Sequence, residues 1–233
     1  MVDKHLSSQF DSELNSISTR VLEMGGVVES QLRQATYALH HFSVETCDQV
    51  LELESKVNRM EVEIDHDVTS TISRRQPTAR DLRLLVGVSR TIVNLERAGD
   101  ECSRIARTLK ELINTGMPRN LPTAELRMAA AMAADVLHKA LDAFARLDVT
   151  GALEVFKEDT HIDLEYEGFT RKLITYMMED PRTITSGLSL LFLAKAIERI
   201  GDHAKNVAEA TIYVARGADV RHTTEEQRER IVQ

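Results

Sequence analysis

The amino-acid sequence predicts an all-α protein, and three observations support this fold class. The chain has 233 residues, of which 42% are hydrophobic and 28% are charged, so it can bury a substantial core. Aromatic residues make up only 4%, and glycine and proline are too scarce for the many turns of an all-β fold. Long stretches with a helical apolar period lie between the prolines. These features indicate long helices packed as a bundle.

The four prolines divide the chain into its predicted helices, because a proline inside a helix is unfavourable. Six long helices are predicted, at residues 7–41, 44–74, 79–115, 123–148, 151–178 and 183–216. The segment 115–123 contains two prolines and a glycine and is the predicted internal boundary. The polar segment that begins at Gly217 is predicted to end in a frayed tail.

An internal repeat indicates that the chain is a duplicated three-helix unit. Residues 94–106 read NLERAGDECSRIA and residues 196–208 read AIERIGDHAKNVA, so the motif E-R-x-G-D recurs in the third and sixth predicted helices. In the second and fifth helices, an acid, three residues and an aspartate recur in the same order. We therefore predict one unit over residues 1–116, a second over 117–216 and a polar tail over 217–233.

Each unit carries two pairs of acids with i, i+4 spacing, which places the members of a pair on one helix face. The eight carboxylates are those of Glu61, Asp65, Glu96, Asp100, Asp159, Asp163, Glu198 and Asp202. At about 100° per residue, the pairs of the second and fifth helices fall at the edge of the apolar stripe, and those of the third and sixth fall on it. We expect too few facing bases to neutralise them. Clusters of oxygen ligands suit hard cations such as Mg²⁺, Mn²⁺, Ca²⁺ or iron, so the pattern predicts metal binding.

Two alternatives for these acids remain open. One is a solvated face with ordinary helix ion pairs, such as Asp202 with Lys205. The other is a ferritin-like di-iron or iron-storage protein, because E-x-x-H occurs at residues 63–66 and 158–161. Helical phasing turns His66 about 170° and His161 about 110° away from the apolar stripes, which predicts surface histidines. The carboxylate metal site is therefore the preferred hypothesis.

Composition and motifs exclude several other classes. The net charge of −8 disfavours direct nucleic-acid binding. Cys47 and Cys102 match no zinc spacing and indicate a reducing compartment. The first residues lack the apolar stretch of a signal peptide, and the longest apolar run, residues 188–194, is too short for a transmembrane segment. No catalytic nucleophile motif is present, so the expectation is a cytoplasmic protein that is not an enzyme.

The motifs ISRRQP, NLERAGD, MMEDPRTI and IERIGDHAKNVAE, followed by VARGADVRH, resemble the PhoU family in order along nearly the whole chain. The resemblance implies six helices in two similar, tandem three-helix bundles and a homodimer. It also implies a negative regulator in signal transduction, which represses the phosphate-starvation response and modulates phosphate uptake. The expected partners are the ATPase subunit of the Pst phosphate transporter and the sensor histidine kinase of the phosphate two-component system.

The same resemblance implies that the acid-x-x-x-Asp motifs hold metal ions. The matching positions in this chain are the eight carboxylates named above, with magnesium, manganese, iron or zinc as the candidate metals. It further implies a cytoplasmic protein that associates peripherally with the inner membrane through its partners.

Overall fold

A computed structural model of the chain describes residues 8–116 and 122–232, and these residues are almost entirely helical. Within those ranges there are seven α-helices, one short 3₁₀ turn and no strand. The helices are α1 (Ser8–His41), α2 (Val44–Arg75), α3 (Ala79–Asn114), α4 (Ala124–Arg146), α5 (Val149–Glu179), α6 (Ile184–Arg216) and α7 (Glu225–Val232), and the 3₁₀ turn is Pro181–Thr183. No helix among the described residues has the length and apolarity needed to cross a membrane. The predicted all-α fold is confirmed.

The six long helices agree with the prediction to within two residues at their described ends, and capping explains where two of them begin. Ser43 caps α2 by accepting a hydrogen bond from the amide of Thr46 at 3.2 Å, and Asp148 caps α5 by accepting one from the amide of Thr150 at 3.0 Å. Both α4 and α5 are shifted from the prediction, since α4 ends two residues early and α5 begins two residues early. The reason is Leu147, which turns the chain with a φ of 51°. The predicted helix start at residue 7 lies outside the described residues.

The helices pack as two sets of three that share one core. The predicted boundary at 115–123 falls largely on residues 117–121, which lie outside the described part of the chain. Before it, α1, α2 and α3 pack against one another, and after it α4, α5 and α6 do the same. The halves are joined where α3 packs against α6 and α1 against α4. Their buried apolar side chains form a single cluster.

Glycines allow the helices that join the two halves to approach closely. A Cβ atom on Gly87 of α3 would lie 2.2 Å from Cγ2 of Val214 in α6, and one on Gly25 of α1 would lie 2.5 Å from Cδ2 of Leu141 in α4. Carbon atoms in contact are normally about 3.5–4.0 Å apart, so a side chain at either position would force Val214 or Leu141 to move. The absence of a side chain at these two positions therefore sets the spacing between the halves.

The prediction of a frayed tail is wrong for the described part of the C-terminal segment, which forms α7. Thr224 and Gln227 form a capping box, in which each backbone amide donates to the other side chain at 2.9 and 3.3 Å. The guanidinium of Arg228 lies 4.2 Å from the ring centre of Phe156 in α5, and Val220 is buried. The polar composition concealed this helix because its contacts are made by a cap and a cation on an aromatic ring, not by an apolar stripe.

Candidate functional site

In the first half, the four predicted carboxylates lie along the seam between α2 and α3. This first cluster consists of Glu61, Asp65, Glu96 and Asp100. The two glutamates are half-buried, whereas the two aspartates are exposed. The hydroxyl of Ser89 donates a hydrogen bond to Oδ1 of Asp65 at 3.3 Å. The predicted juxtaposition of acids from two neighbouring helices is therefore present.

No basic side chain of the described residues forms an ion pair with the first cluster, although the charge of Arg97 is close enough to oppose the rise in the pKa of Glu61 and of Glu96. Arg107 of α3 binds Glu54 with its guanidinium at 2.6 Å, and Arg104 contacts Glu101 at 3.3 Å. The four carboxylates of the first cluster are thus left without a direct positive partner.

The first cluster shows the electrostatic effect of unneutralised acids. Burial, followed by the charges of Asp65 and Asp100, raises the pKa of Glu61 above its usual value. Burial, followed by the charges of Asp100 and Glu61, raises the pKa of Glu96 in the same way. The pKa of Asp100 is also raised, by burial and then by Glu54. Like charges that disfavour one another across two helices create a site where a cation is favourable.

The second half places its acids at the seam between α5 and α6, and here they have positive partners. This second cluster consists of Asp159, Asp163, Glu198 and Asp202. Nζ of Lys205 lies 2.6 Å from Oδ2 of Asp159 and 2.8 Å from Oδ1 of Asp202. Nζ of Lys195 lies 2.6 Å from the carboxylate of Glu198. The expectation of too few facing bases is therefore wrong for this half, where lysines of α6 supply the charge.

Burial is strongest at Asp159, whose side chain is only 3% exposed. Burial raises the pKa of Asp159, and the hydrogen bond from Lys205 opposes that change. Burial lowers the pKa of Lys205, but its hydrogen bonds to Asp159 and Asp202 outweigh this effect and leave the pKa above the usual value. The charged form of Lys205 is therefore favoured by the carboxylates that it bonds.

The prediction that the acids of α3 and α6 lie on a core-facing stripe is only partly correct. Glu198 is buried, but Asp100 is exposed and the side chain of Asp202 is 42% exposed. Leu82 in α3 and Ile184 in α6 belong to the apolar pattern of their helices in the sequence, yet both are exposed. The buried faces of these helices are rotated away from those residues, so the acids lie at the edge of the core.

The chemistry of the first cluster fits a hard cation, although no ligand sphere is assembled in this structure. No group of three Asp, Glu, His or Cys side chains in the described residues is arranged to hold a metal ion. The first cluster nevertheless offers only oxygen donors, has no ion-pair partner and contains mutually repelling charges. Metal binding there would require side-chain rotations, which the exposed carboxylates of Asp65 and Asp100 are free to make.

The E-x-x-H pairs do not form a di-iron site. His66 and His161 are both exposed, as the phasing predicted. Glu63 accepts a hydrogen bond from Arg20 at 2.7 Å, and Glu158 pairs with Lys139 at 2.6 Å. A ferritin-like centre needs these side chains to point together into the bundle core, so the structure does not favour that alternative.

Sequence reasoning missed a polar network between α3 and α6. Glu101 is buried and accepts a hydrogen bond from Arg199 across the seam at 3.1 Å. Oδ1 of Asn94 contacts Nδ1 of His203 at 3.2 Å and accepts a hydrogen bond from Asn206 at 2.9 Å. Glu101, Arg199, His203 and Asn206 line a groove of about 380 Å³ between the two clusters. Burial, followed by the charge of Arg97, lowers the pKa of His203 to about 4, so this histidine is neutral near pH 7.

One signal in the sequence pointed to that network. Glu101 and His203 occupy equivalent positions of the two E-R-x-G-D repeats, so a difference between the halves was visible there. The pairing of Glu101 with Arg199 spans 98 residues, however, and no local spacing predicts it.

The fold and the two clusters define a duplicated all-helical protein with acidic seams at equivalent places in each half. The family model described as "PhoU domain" matches the chain twice, at residues 21–109 and 126–211. A phosphate-specific transport system accessory protein PhoU homolog from Burkholderia sp is 46% identical, over 97% of this chain and 97% of its own length. The phosphate-specific transport system accessory protein PhoU of Escherichia coli (strain K12) is 45% identical, over 95% of this chain and 91% of its own length. The chain belongs to the PhoU family.

Solved structures agree with this assignment. The crystal structure of PhoU from Pseudomonas aeruginosa matches with a TM-score of 0.87 and 41% identity, covering 90% of this chain and all of that one. The phosphate transport system regulatory protein PhoU from Streptococcus pneumoniae matches with a TM-score of 0.84 at 24% identity, which supports the fold. The predicted PhoU-like architecture is confirmed.

Proposed function

We propose that this protein is a negative regulator of the phosphate-starvation response that also modulates phosphate uptake. The observation that carries the proposal is 45–46% identity over nearly the full chain with proteins named as phosphate-specific transport system accessory proteins. Identity at this level, spread over both halves, supports a shared role as well as a shared fold. The protein acts by binding and not by catalysis.

In this proposal the protein is a cytoplasmic adaptor between two membrane-associated machines. Its partners are the ATPase subunit of the Pst phosphate transporter and the phosphate sensor histidine kinase, and it reaches the inner membrane through them. The active form is a homodimer. The net charge of −8 suits basic patches on such partners, because complementary charge speeds and orients association.

The metal part of the proposal concerns the carboxylates. Glu61, Asp65, Glu96 and Asp100 hold a divalent or trivalent ion, with magnesium, manganese, iron or zinc as candidates. When bound, the ion supplies positive charge that neutralises the seam. The residues themselves fix the angle between α2 and α3, because acids from both helices share the same ion.

The regulatory role is tested in cells of the source organism. Alkaline phosphatase activity is measured in phosphate-replete medium with the gene present, deleted and restored. High activity in the deletion alone supports the proposal, because it shows loss of repression. Equal activity in all three strains would refute negative regulation.

The metal role is tested on the purified full chain by elemental analysis. The double variant Glu96→Gln/Asp100→Asn should lose bound metal while its helical circular dichroism is unchanged. Glu111→Gln is the matched control, because Glu111 is an exposed acid on the same helix. Metal content that is unchanged in the double variant would refute the assignment.

A further inference from the structure

Lys205 lies between the two helices of the second cluster. Its ammonium donates hydrogen bonds to Asp159 on α5 at 2.6 Å and to Asp202 on α6 at 2.8 Å. The side chain of Lys205 is 27% exposed, so the charge is partly shielded from water by the seam. A positive group bound by acids from two neighbouring helices neutralises them as a bridging metal ion would.

The first cluster has no equivalent of this lysine. When the two E-R-x-G-D motifs are aligned, the position of Lys205 corresponds to Ser103. Ser103 is buried and accepts a hydrogen bond from Nε2 of Gln31 at 3.1 Å, so it belongs to the core of α1 and α3. The two halves therefore carry similar acids, but only in the second half does a cationic side chain form hydrogen bonds to acids of both helices.

We propose that the two clusters of this chain are neutralised differently, with Lys205 as the resident cation of the second cluster and a metal ion in the first cluster only. The proposal rests on the metal binding proposed above for the first cluster. It adds that the second cluster, despite its acid-x-x-x-Asp motifs, takes no metal while Lys205 is present.

The packing around Asp159 explains why this cluster needs a cation at all times. Oδ1 of Asp159 has no hydrogen-bond partner in the described structure. That oxygen lies only 2.8 Å from where a Cβ on Gly201 would be, so the carboxylate is packed against the backbone of α6. A buried carboxylate that loses its partner is strongly destabilising. Without Lys205, this site requires another cation, and an oxygen-rich site suits Mn²⁺.

The experiment adds Lys205→Ser to the Glu96→Gln/Asp100→Asn variant, so that only the second cluster remains. Serine is the residue that the first half carries at the equivalent position. The double variant with Lys205 should bind no Mn²⁺ and have the same Tm in Mn²⁺ and in EDTA. Adding Lys205→Ser should lower the Tm in EDTA by roughly 6–20 °C, and Mn²⁺ should restore much of that loss. Lys205→Gln is a second variant that keeps a hydrogen-bond donor without the charge, and it should show the same Mn²⁺ response.

Lys110→Ser is the matched control, because Lys110 also forms an ion pair between two helices, 2.5 Å from Asp48, but at the surface. It should change the Tm by less than about 2 °C and give no Mn²⁺ response. Mn²⁺ bound by the double variant with Lys205 and released by Asp202→Asn would overturn the proposal. So would Lys205 variants whose Tm does not rise with Mn²⁺. If the first cluster does not bind metal, the results differ. The wild type then binds no Mn²⁺, whereas Mn²⁺ still raises the Tm of the Lys205 variants.

Discussion

The contact between α3 and α6 at Gly87 makes a quantitative prediction. A Cβ at this position would lie 2.2 Å from Cγ2 of Val214, which is shorter by about 1.3 Å than an ordinary carbon contact of about 3.5 Å. Val214 cannot easily turn away, because a valine in a helix has one strongly preferred rotamer. Gly87→Ala therefore forces the two halves apart or strains Val214, and overpacking of this kind costs about 1–3 kcal/mol.

Alanine in a helix is also more stable than glycine by about 0.5–1 kcal/mol, so a control variant is needed to subtract this effect. Gly168→Ala is that control, because Gly168 is exposed in the middle of α5 and nothing lies within 4 Å of its added Cβ. The difference between the two variants is then the overpacking cost alone, or a Tm lower in Gly87→Ala by roughly 2–12 °C. Thermal unfolding followed by circular dichroism measures it. A Gly87→Ala protein as stable as Gly168→Ala would refute the reasoning.

The first cluster and the two thiols give three further predictions. Glu96→Gln should raise the stability of the metal-free protein by roughly 0.2–0.5 kcal/mol for each repelling neighbour removed, and a lower Tm in EDTA would contradict this. The pKa of Glu96 is raised in the folded protein, so the penalty exists at pH 7 and disappears as the carboxyl is protonated. The Tm advantage of Glu96→Gln should therefore shrink from pH 7 towards pH 4, and an advantage that grows would be inconsistent with a raised pKa. Burial raises the pKa of both Cys47 and Cys102, so a thiol reagent should label them rapidly only in denaturant, and rapid labelling of the native protein would refute their burial.

Features of the fold that depend on local chemistry were predictable from the sequence. Prolines and the apolar period located six helices, because both act within a few residues of themselves. The turn between α4 and α5 was predicted two residues late, because leucine rarely adopts the positive φ that Leu147 has here. The short helix α7 was missed although its capping box, Thr224 with Gln227, is local and was visible in the sequence, and its contact of Arg228 with Phe156 joins residues far apart in the chain.

The sequence also predicted which acids belong to the candidate site, because their spacing along each helix is a local feature. Repeat spacing correctly placed the acids at the seams, since a spacing of four residues defines a helix face. The exact burial was not predictable, because Leu82 and Ile184 belong to the apolar pattern yet are 40% and 43% exposed. The sequence suggested a helix ion pair of Lys205 with Asp202, but the bond to Asp159 joins residues on separate helices.

The unequal charge of the two seams has a geometric consequence for recognition. A body built from two matching halves presents almost the same surface when turned end for end, so a partner that reads shape alone has two ways to dock. Only the second half carries Lys205, so the two ends of the molecule differ in charge. A partner that recognises charge can therefore distinguish the two ends, and the adaptor role proposed above would need such a distinction to fix one docking orientation.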